Sequence, residues 1–406
     1  MLKLKTDVII ILLYLHACSK KTFNMIDKIQ IKNFKSIVDL TIDLGRFNVI
    51  IGANGCGKTN ILEAITFASA ASRGKLDIES LVNRDIRVSD SHIMFNAFDD
   101  VEQSSFPLIT IDVVSKSKMN TNVVIGYAEK VKEWINFADV TDKFRIQKAL
   151  ELFETNTGKT IDILHDENVD MATLDKTNPE LFKLLHEALI DKPELASFIT
   201  YRPTEGNLRK NPDTRIYPFG AKGEGLLKYL KDLETTELIA EINRGLHLLD
   251  WFDGFSIPEG LLSNEYALLI GDKYLKESIH SFDQRSTNEG FLYLLFYLTL
   301  FNSKDTPNFF AIDNIETSFN PKLCTRLTEY LVESATKNDK QIILTTHNPY
   351  VLDGLDLSND NVRLFVARRN IDGHTRLERI EYRENRNMLL SELWMSGLIG
   401  GLPDNF

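Results

Sequence analysis

Phe47 to Asn60 reads FNVIIGANGCGKTN, and this stretch decides the fold. The β-branched and aromatic run Phe47-Asn48-Val49-Ile50-Ile51 predicts a buried strand. It leads into Gly52-Ala53-Asn54-Gly55-Cys56-Gly57-Lys58-Thr59, which fits the pattern G-x-x-x-x-G-K-[ST] at every position. Ile61, Leu62, Ile65 and Ala68 then recur at helical spacing. Glycines let successive backbone N–H groups curl around a phosphate without Cβ clashes, and the helix N-terminus adds a positive dipole end. Lys58 supplies a point charge for the β- and γ-phosphates, and Thr59 a hydroxyl for Mg²⁺. Asn60 completes the candidate nucleotide-contacting set. A glycine-rich turn that merely joins strand to helix has no need of the whole pattern.

The bulk numbers set the frame. A chain of 406 residues suggests two or three domains. Its net charge of −11, from 47 basic and 58 acidic residues, argues against a broad basic footprint for nucleic acid and leaves room for a local basic groove. Cys18, Cys56 and Cys324 are far apart and form no C-x-x-C pair, so neither a disulfide framework nor a zinc site is expected. That suits a reducing compartment. Val8 to Leu15 is an apolar run too short to span a bilayer, although Leu15-His16-Ala17-Cys18 faintly resembles a lipoprotein cleavage site. Nucleoside triphosphate is a cytoplasmic substrate, so residues 1–24 read as a leader or as a start assigned too early. The expected location is the cytoplasm, with no membrane partner.

Further along, Ile26, Ile29 and Ile31 suggest a strand, and Val38, Leu40, Ile42 and Leu44 alternate with polar residues as a half-buried strand does. Three segments, 91–98, 107–114 and 122–128, read as short strands of an antiparallel layer. The segments 128–138, 144–154 and 179–190 read as helices, with Phe182, Leu184, Leu185 and Leu189 forming an apolar face. Residues 200–215, TYRPTEGNLRKNPDTR, carry Arg202, Arg209, Lys210 and Arg215. They read as a solvated linker, with a phosphate or partner contact as the alternative. Asn288-Glu289-Gly290 caps a helix that is apolar nearly all round, as a helix inside the core should be.

Two more strands carry chemistry. Phe309 to Ile312 leads into Asp313, a carboxylate suited to hold Mg²⁺ beside the phosphate loop. Asn320-Pro321 then opens a helix with an Asn cap and a first-turn Pro. Gln341 to Thr345 leads into Thr346-His347, which places a histidine at the carboxyl end of a strand, where open α/β sheets bind ligands.

Phosphate loop, hhhhD strand, short signature before a helix and terminal histidine together resemble an ABC-type ATPase head of the RecF/SMC/OLD group. FFAIDNIETSFNPKLC, QIILTTHNPYVLDGLDL and LWMSGLIGGLP are similar to stand-alone bacterial AAA-type ATPases that act in anti-phage defence beside a separate effector. The resemblance covers residues 25–85 and 215–406. It implies an α/β head with a mixed, largely parallel sheet, flanking helices and an antiparallel β layer. The head's two parts, 25–85 and 215–406, enclose an inserted β and mainly helical region, 86–214. It also implies that two heads sandwich two ATPs with Mg²⁺, the signature of one head touching the γ-phosphate held by the other. By position Asn288 and Gly290 match the signature, with Asn in place of Ser. His347 matches the histidine that senses the γ-phosphate. No glutamine matching the family's Q-loop stands out between residues 70 and 100. Asp313 is followed by Asn314 where relatives carry a catalytic Glu, and Glu316 matches a further acidic position.

From this follow a homodimer or higher homo-oligomer and ATP hydrolysis, slow unless Glu316 reaches the water. The expected role is a sensor or switch for a separate effector. A RecF-like DNA-repair ATPase and a non-hydrolysing ATP-binding scaffold are the alternatives.

Overall fold

The computed structural model describes residues 23–402 apart from 138–192 and the short stretches 89, 102–106, 118–119, 129–131, 211–215, 234–235, 259, 263–264, 277, 280 and 385–387. The expected helices at 144–154 and 179–190 lie outside the described residues.

A six-stranded sheet forms the centre. Its strand order is β14 (Thr375–Ile380), β13 (Val362–Arg369), β3 (Phe47–Ile51), β12 (Gln341–Thr345), β11 (Phe309–Ile312) and β7 (Thr200–Tyr201). All neighbours from β13 to β7 pair in parallel, and only β14 runs antiparallel. The phosphate-loop strand β3 therefore lies between β13 and β12, and β11 with Asp313 follows β12. Parallel strands covered on both faces read as continuous apolar runs. Side-chain alternation explains why. Val49 and Ile51, Phe310 and Ile312, and Ile342 and Leu344 enter one core, while Ile50, Ala311 and Ile343 enter the other.

The first core contains the Glu289–Asn302 helix, whose side chains from Phe291 to Phe301 are all buried, together with the inner face of the Pro321–Lys337 helix. The second contains the Lys58–Ser72 helix and an antiparallel sheet. In order, that sheet is β2 (Ile37–Asp43), β1 (Ile26–Phe34), β4 (Leu108–Ser115), β5 (Asn120–Ala128) and β6 (Glu133–Asn136). Gln341 joins the two sheets. Its side chain accepts from the Ile26 N–H at 2.9 Å and donates to the Ile26 and Gly45 carbonyls at 2.7 and 2.8 Å. A small sheet of β8 (Phe252–Ser256), β9 (Leu269–Asp272) and β10 (Phe282–Asp283) packs beside the first core.

Three local readings are corrected. Residues 91–94 form a short helix capped by Asp90, which accepts from the His92 N–H, rather than a strand. Within 128–138, Glu133–Asn136 is the edge strand β6 rather than part of a helix, because Trp134 and Asn136 alternate inward with Glu133 and Ile135 outward. Residues 200–210 hold β7 and the Glu205–Lys210 helix instead of a linker.

Candidate nucleotide site

The loop after β3 turns on glycine. Gly52, Gly55 and Gly57 have φ of +147°, +78° and +106°. A Cβ on Gly52 would lie 2.3 Å from the Ala367 carbonyl oxygen, and one on Gly57 2.1 Å from Thr375 Oγ1. Dihedral and packing thus both demand glycine. Gly57 opens the Lys58–Ser72 helix with no side-chain cap, which leaves its first N–H groups for an anion. The β13–β14 hairpin grips the loop from the side. Arg369 Nε donates to the Gly55 carbonyl and Thr375 Oγ1 to the Cys56 carbonyl, both at 3.0 Å. Asn54 and Gly55 form the exposed tip.

Lys58 is 6% exposed and curls back on its own loop, donating to the Gly52 and Ala53 carbonyls at 2.7 and 3.1 Å. Burial lowers its pKa, with Cys56, Asp313 and Glu316 pulling the other way. Asn60 Nδ2 donates to Ser36 Oγ at 2.6 Å, and its Oδ1 accepts from Arg87 at 3.0 Å. Its side chain therefore ties the helix to the neighbouring turn instead of facing the loop.

Thr59 Oγ1 donates to Asp313 Oδ2 at 3.3 Å. The sheet order produces this meeting, since Asp313 closes β11 on the same edge as the loop. The other Asp313 oxygen accepts from Thr345 Oγ1, which in turn accepts from the Asn314 N–H at 3.0 Å. A hydroxyl and a carboxylate at this spacing are hard oxygen ligands, the donor set a Mg²⁺ ion takes.

Asn314 is exposed at φ +59°. Glu316 is held at the site: its Oε1 accepts from the His347 N–H at 2.9 Å, and its Oε2 is buried without a hydrogen-bond partner. His347 itself is exposed, and partial burial together with the Lys58 charge holds its pKa below the ordinary value. Its imidazole is thus neutral at pH 7, with one ring N–H to donate. A cradle of uncapped N–H groups, a lysine, an oxygen pair and an unpartnered carboxylate oxygen fit a Mg²⁺-bound triphosphate.

The signature residues lie elsewhere. Asn288 caps the Glu289–Asn302 helix by accepting from the Phe291 N–H at 2.9 Å. Ser318 Oγ donates to Glu289 Oε2 at 2.6 Å, so the segment after Asp313 is bonded to the signature. Both segments line a cavity of about 320 Å³ that includes Asn288, Gly290, Ser318, Lys322 and Arg326 and no phosphate-loop residue. Arg209 fixes the approach to the signature by donating to the carbonyls of Gln284, Arg285 and Thr287 at 2.8–3.0 Å.

Sequence reasoning named Arg202 as one basic residue of a solvated linker, with a phosphate or partner contact as the alternative, and missed its pairing with Asp313. Arg202 follows the edge strand β7 and donates to Asp313 Oδ2 from Nε at 2.9 Å, with Nη2 at 2.6 Å from the same oxygen. Its Nη1 donates to Asp85 at 2.5 Å. A two-residue strand leaves no periodic signal, and only the pairing of β7 with β11 reveals it.

The fold is that of an SMC-like ABC ATPase head. The sheet and its layers superpose on an Smc head crystallised with the C-terminal winged-helix domain of ScpA, with a TM-score of 0.51, 14% identity, and 89% of this chain and 98% of that one covered. Residues 47–353 match the model of the family described as "AAA domain, putative AbiEii toxin, Type IV TA system", and the chain belongs to that family. Shorter stretches match two larger relatives. One is the chromosome partition protein Smc of Methanocaldococcus jannaschii, 43% identical over 51 residues, 12% of this chain and 4% of that protein. The other is the OLD nuclease of Thermus scotoductus, 46% identical over 41 residues, 10% of this chain and 8% of that protein. The matched stretches thus span only a small part of either relative. Among the described residues no helix is long and apolar enough to cross a membrane.

Proposed function

We propose that this chain is a cytoplasmic, Mg²⁺-dependent ATPase that binds ATP at the phosphate loop, hydrolyses it, and dimerises head to head around the nucleotide. In this reading it is a sensor or switch for a separate effector in anti-phage defence. The observation that carries the proposal is the convergence of Lys58 and Thr59 with Asp313 and Glu316, two pairs far apart in sequence, around one uncapped helix N-terminus. Lys58 and the loop N–H groups would bind the phosphates, and Thr59 with Asp313 would hold Mg²⁺, which when bound offsets the charge that develops on the phosphoryl oxygens. Glu316 Oε2 is the carboxylate oxygen with unspent acceptor capacity, so it takes the role of orienting and deprotonating water. His347 would donate a hydrogen bond to the terminal phosphate.

Dimerisation is supported by the separation of the signature from the phosphate loop. Asn288 and Gly290 border a cavity with two cationic side chains, Lys322 and Arg326, a face suited to a partner's phosphate. A Cβ at Gly290 would already meet the Ser318 carbonyl oxygen at 3.3 Å. Gly290→Glu would also put a carboxylate where a partner's phosphate is proposed to sit, and should block association while leaving ATP binding intact. Sedimentation should show a doubled mass with ATP for the wild type and an unchanged mass for the variant; equal masses would remove the signature from the interface.

ATP turnover measured with and without DNA tests the function. Turnover indifferent to DNA fits the switch. Strong stimulation by DNA would favour a repair factor, and no turnover under any condition a scaffold.

A further inference from the structure

We propose that Arg202 discriminates ATP from ADP: its guanidinium, paired with Asp313 and Asp85, exchanges Asp313 for the terminal phosphate when ATP binds, with Asp85 as the pivot. This rests on the nucleotide reading above.

Two features make the side chain, and not the backbone, the moving part. Arg202 directly follows β7, and its N–H donates to the Ala221 carbonyl at 2.8 Å, so the main chain is pinned on both sides. The side chain is 26% exposed. One end of its fork rests on Asp85, which Lys222 Nζ also approaches at 3.1 Å. The other end rests on Asp313 Oδ2, the very oxygen that accepts from Thr59 Oγ1. Thr59 and Asp313 are the pair that would hold Mg²⁺. A guanidinium and a divalent cation on one carboxylate oxygen repel each other, so Mg²⁺ held there would weaken the Arg202–Asp313 pair. A terminal phosphate offers the displaced planar fork a bidentate anionic partner. ADP offers none there, so Arg202 keeps its hold on Asp313 and competes with the metal.

The bland alternative is an ion pair that only welds the sheet edge to the 77–90 segment. Equilibrium binding separates the two. Fluorescent ATP and ADP analogues are titrated against the full chain in Mg²⁺, for wild type, Arg202→Ala and Arg202→Lys. The proposal expects Arg202→Ala to lose ATP affinity by roughly tenfold or more, the loss of a charge-assisted contact. ADP affinity should hold or rise, and the Mg²⁺ concentration that half-saturates the ADP complex should fall. Arg202→Lys keeps an ion pair with Asp313 and loses the fork, so it should fold as wild type and still show a reduced ATP-to-ADP ratio. Equal losses for both nucleotides, or an unchanged ratio in both variants, would overturn the proposal while leaving the nucleotide site standing. A wild type that binds neither nucleotide would overturn the site reading itself.

Discussion

Lys58→Ala yields a folded chain that no longer retains ATP. Its ammonium group contacts the Gly52 and Ala53 carbonyls and Cys56 Sγ, all within its own loop, so little of the fold hangs on it. Removing it leaves two carbonyl acceptors unpaired beside the loop, a cost of about 1–3 kcal/mol. Binding suffers far more. The loop is walled by Asp313 and Glu316, and a polyphosphate entering there meets two carboxylates without the charge that offsets them. Each charge-assisted contact to phosphate contributes about 1.5–3 kcal/mol, and Lys58 can make more than one, so affinity should fall roughly a hundredfold or more. Isothermal titration with ATP and Mg²⁺ checks it. Wild-type affinity in the variant would show that this loop is not a phosphate cradle.

Glu316→Gln is expected to stop turnover while keeping ATP bound. The substitution preserves size and keeps an oxygen to accept from the His347 N–H. What it removes is the ability to take a proton. Loss of a general base costs typically 10²–10⁴-fold in rate. Phosphate release under steady-state conditions should therefore drop roughly a hundredfold or more, with ATP affinity near that of wild type. Asn314→Glu is the informative counterpart. The resemblance to ABC-type heads implies that position 314 is the usual site of the base, and by that reasoning Asn314 predicts slow hydrolysis. The structure places Asn314 exposed at a left-handed turn and Glu316 against the His347 backbone. On this geometry, Asn314→Glu changes the rate little. A large acceleration by Asn314→Glu, with Glu316→Gln silent, would return the role to position 314.

Legibility followed the length of the periodic signal. Phe47–Ile51, Phe309–Ile312 and Gln341–Thr345 are buried on both faces, so each reads as an unbroken apolar run and was visible as a strand. The caps Asn288 and Asn320 announced their helices, because an Asn before a helical pattern has a specific hydrogen bond to make. Glu133–Asn136 stayed hidden, since four residues with one Trp do not establish a period and the flanking charges suit a helix. In the site, Lys58, Thr59 and Asp313 were legible because each sits at the end of a strand or in a fixed pattern. The roles of Thr345, Arg369 and Thr375, and the pairing of Arg202 with Asp313, were not. Their roles depend on which strands become neighbours, and no local rule encodes that β7 borders β11 or that the β13–β14 hairpin folds onto the phosphate loop. Asn60 stands in the motif as well, and its side chain bonds Ser36 and Arg87.

The central claim is that nucleotide bound at this loop joins two heads. Its most direct test is the mass in solution of Glu316→Gln, which should bind ATP without consuming it, measured by sedimentation with Mg²⁺ and ATP, with Mg²⁺ and ADP, and with neither. The account predicts a dimer carrying two ATP molecules in the first condition and monomers in the other two. A chain that binds ATP tightly and sediments identically in all three would contradict it.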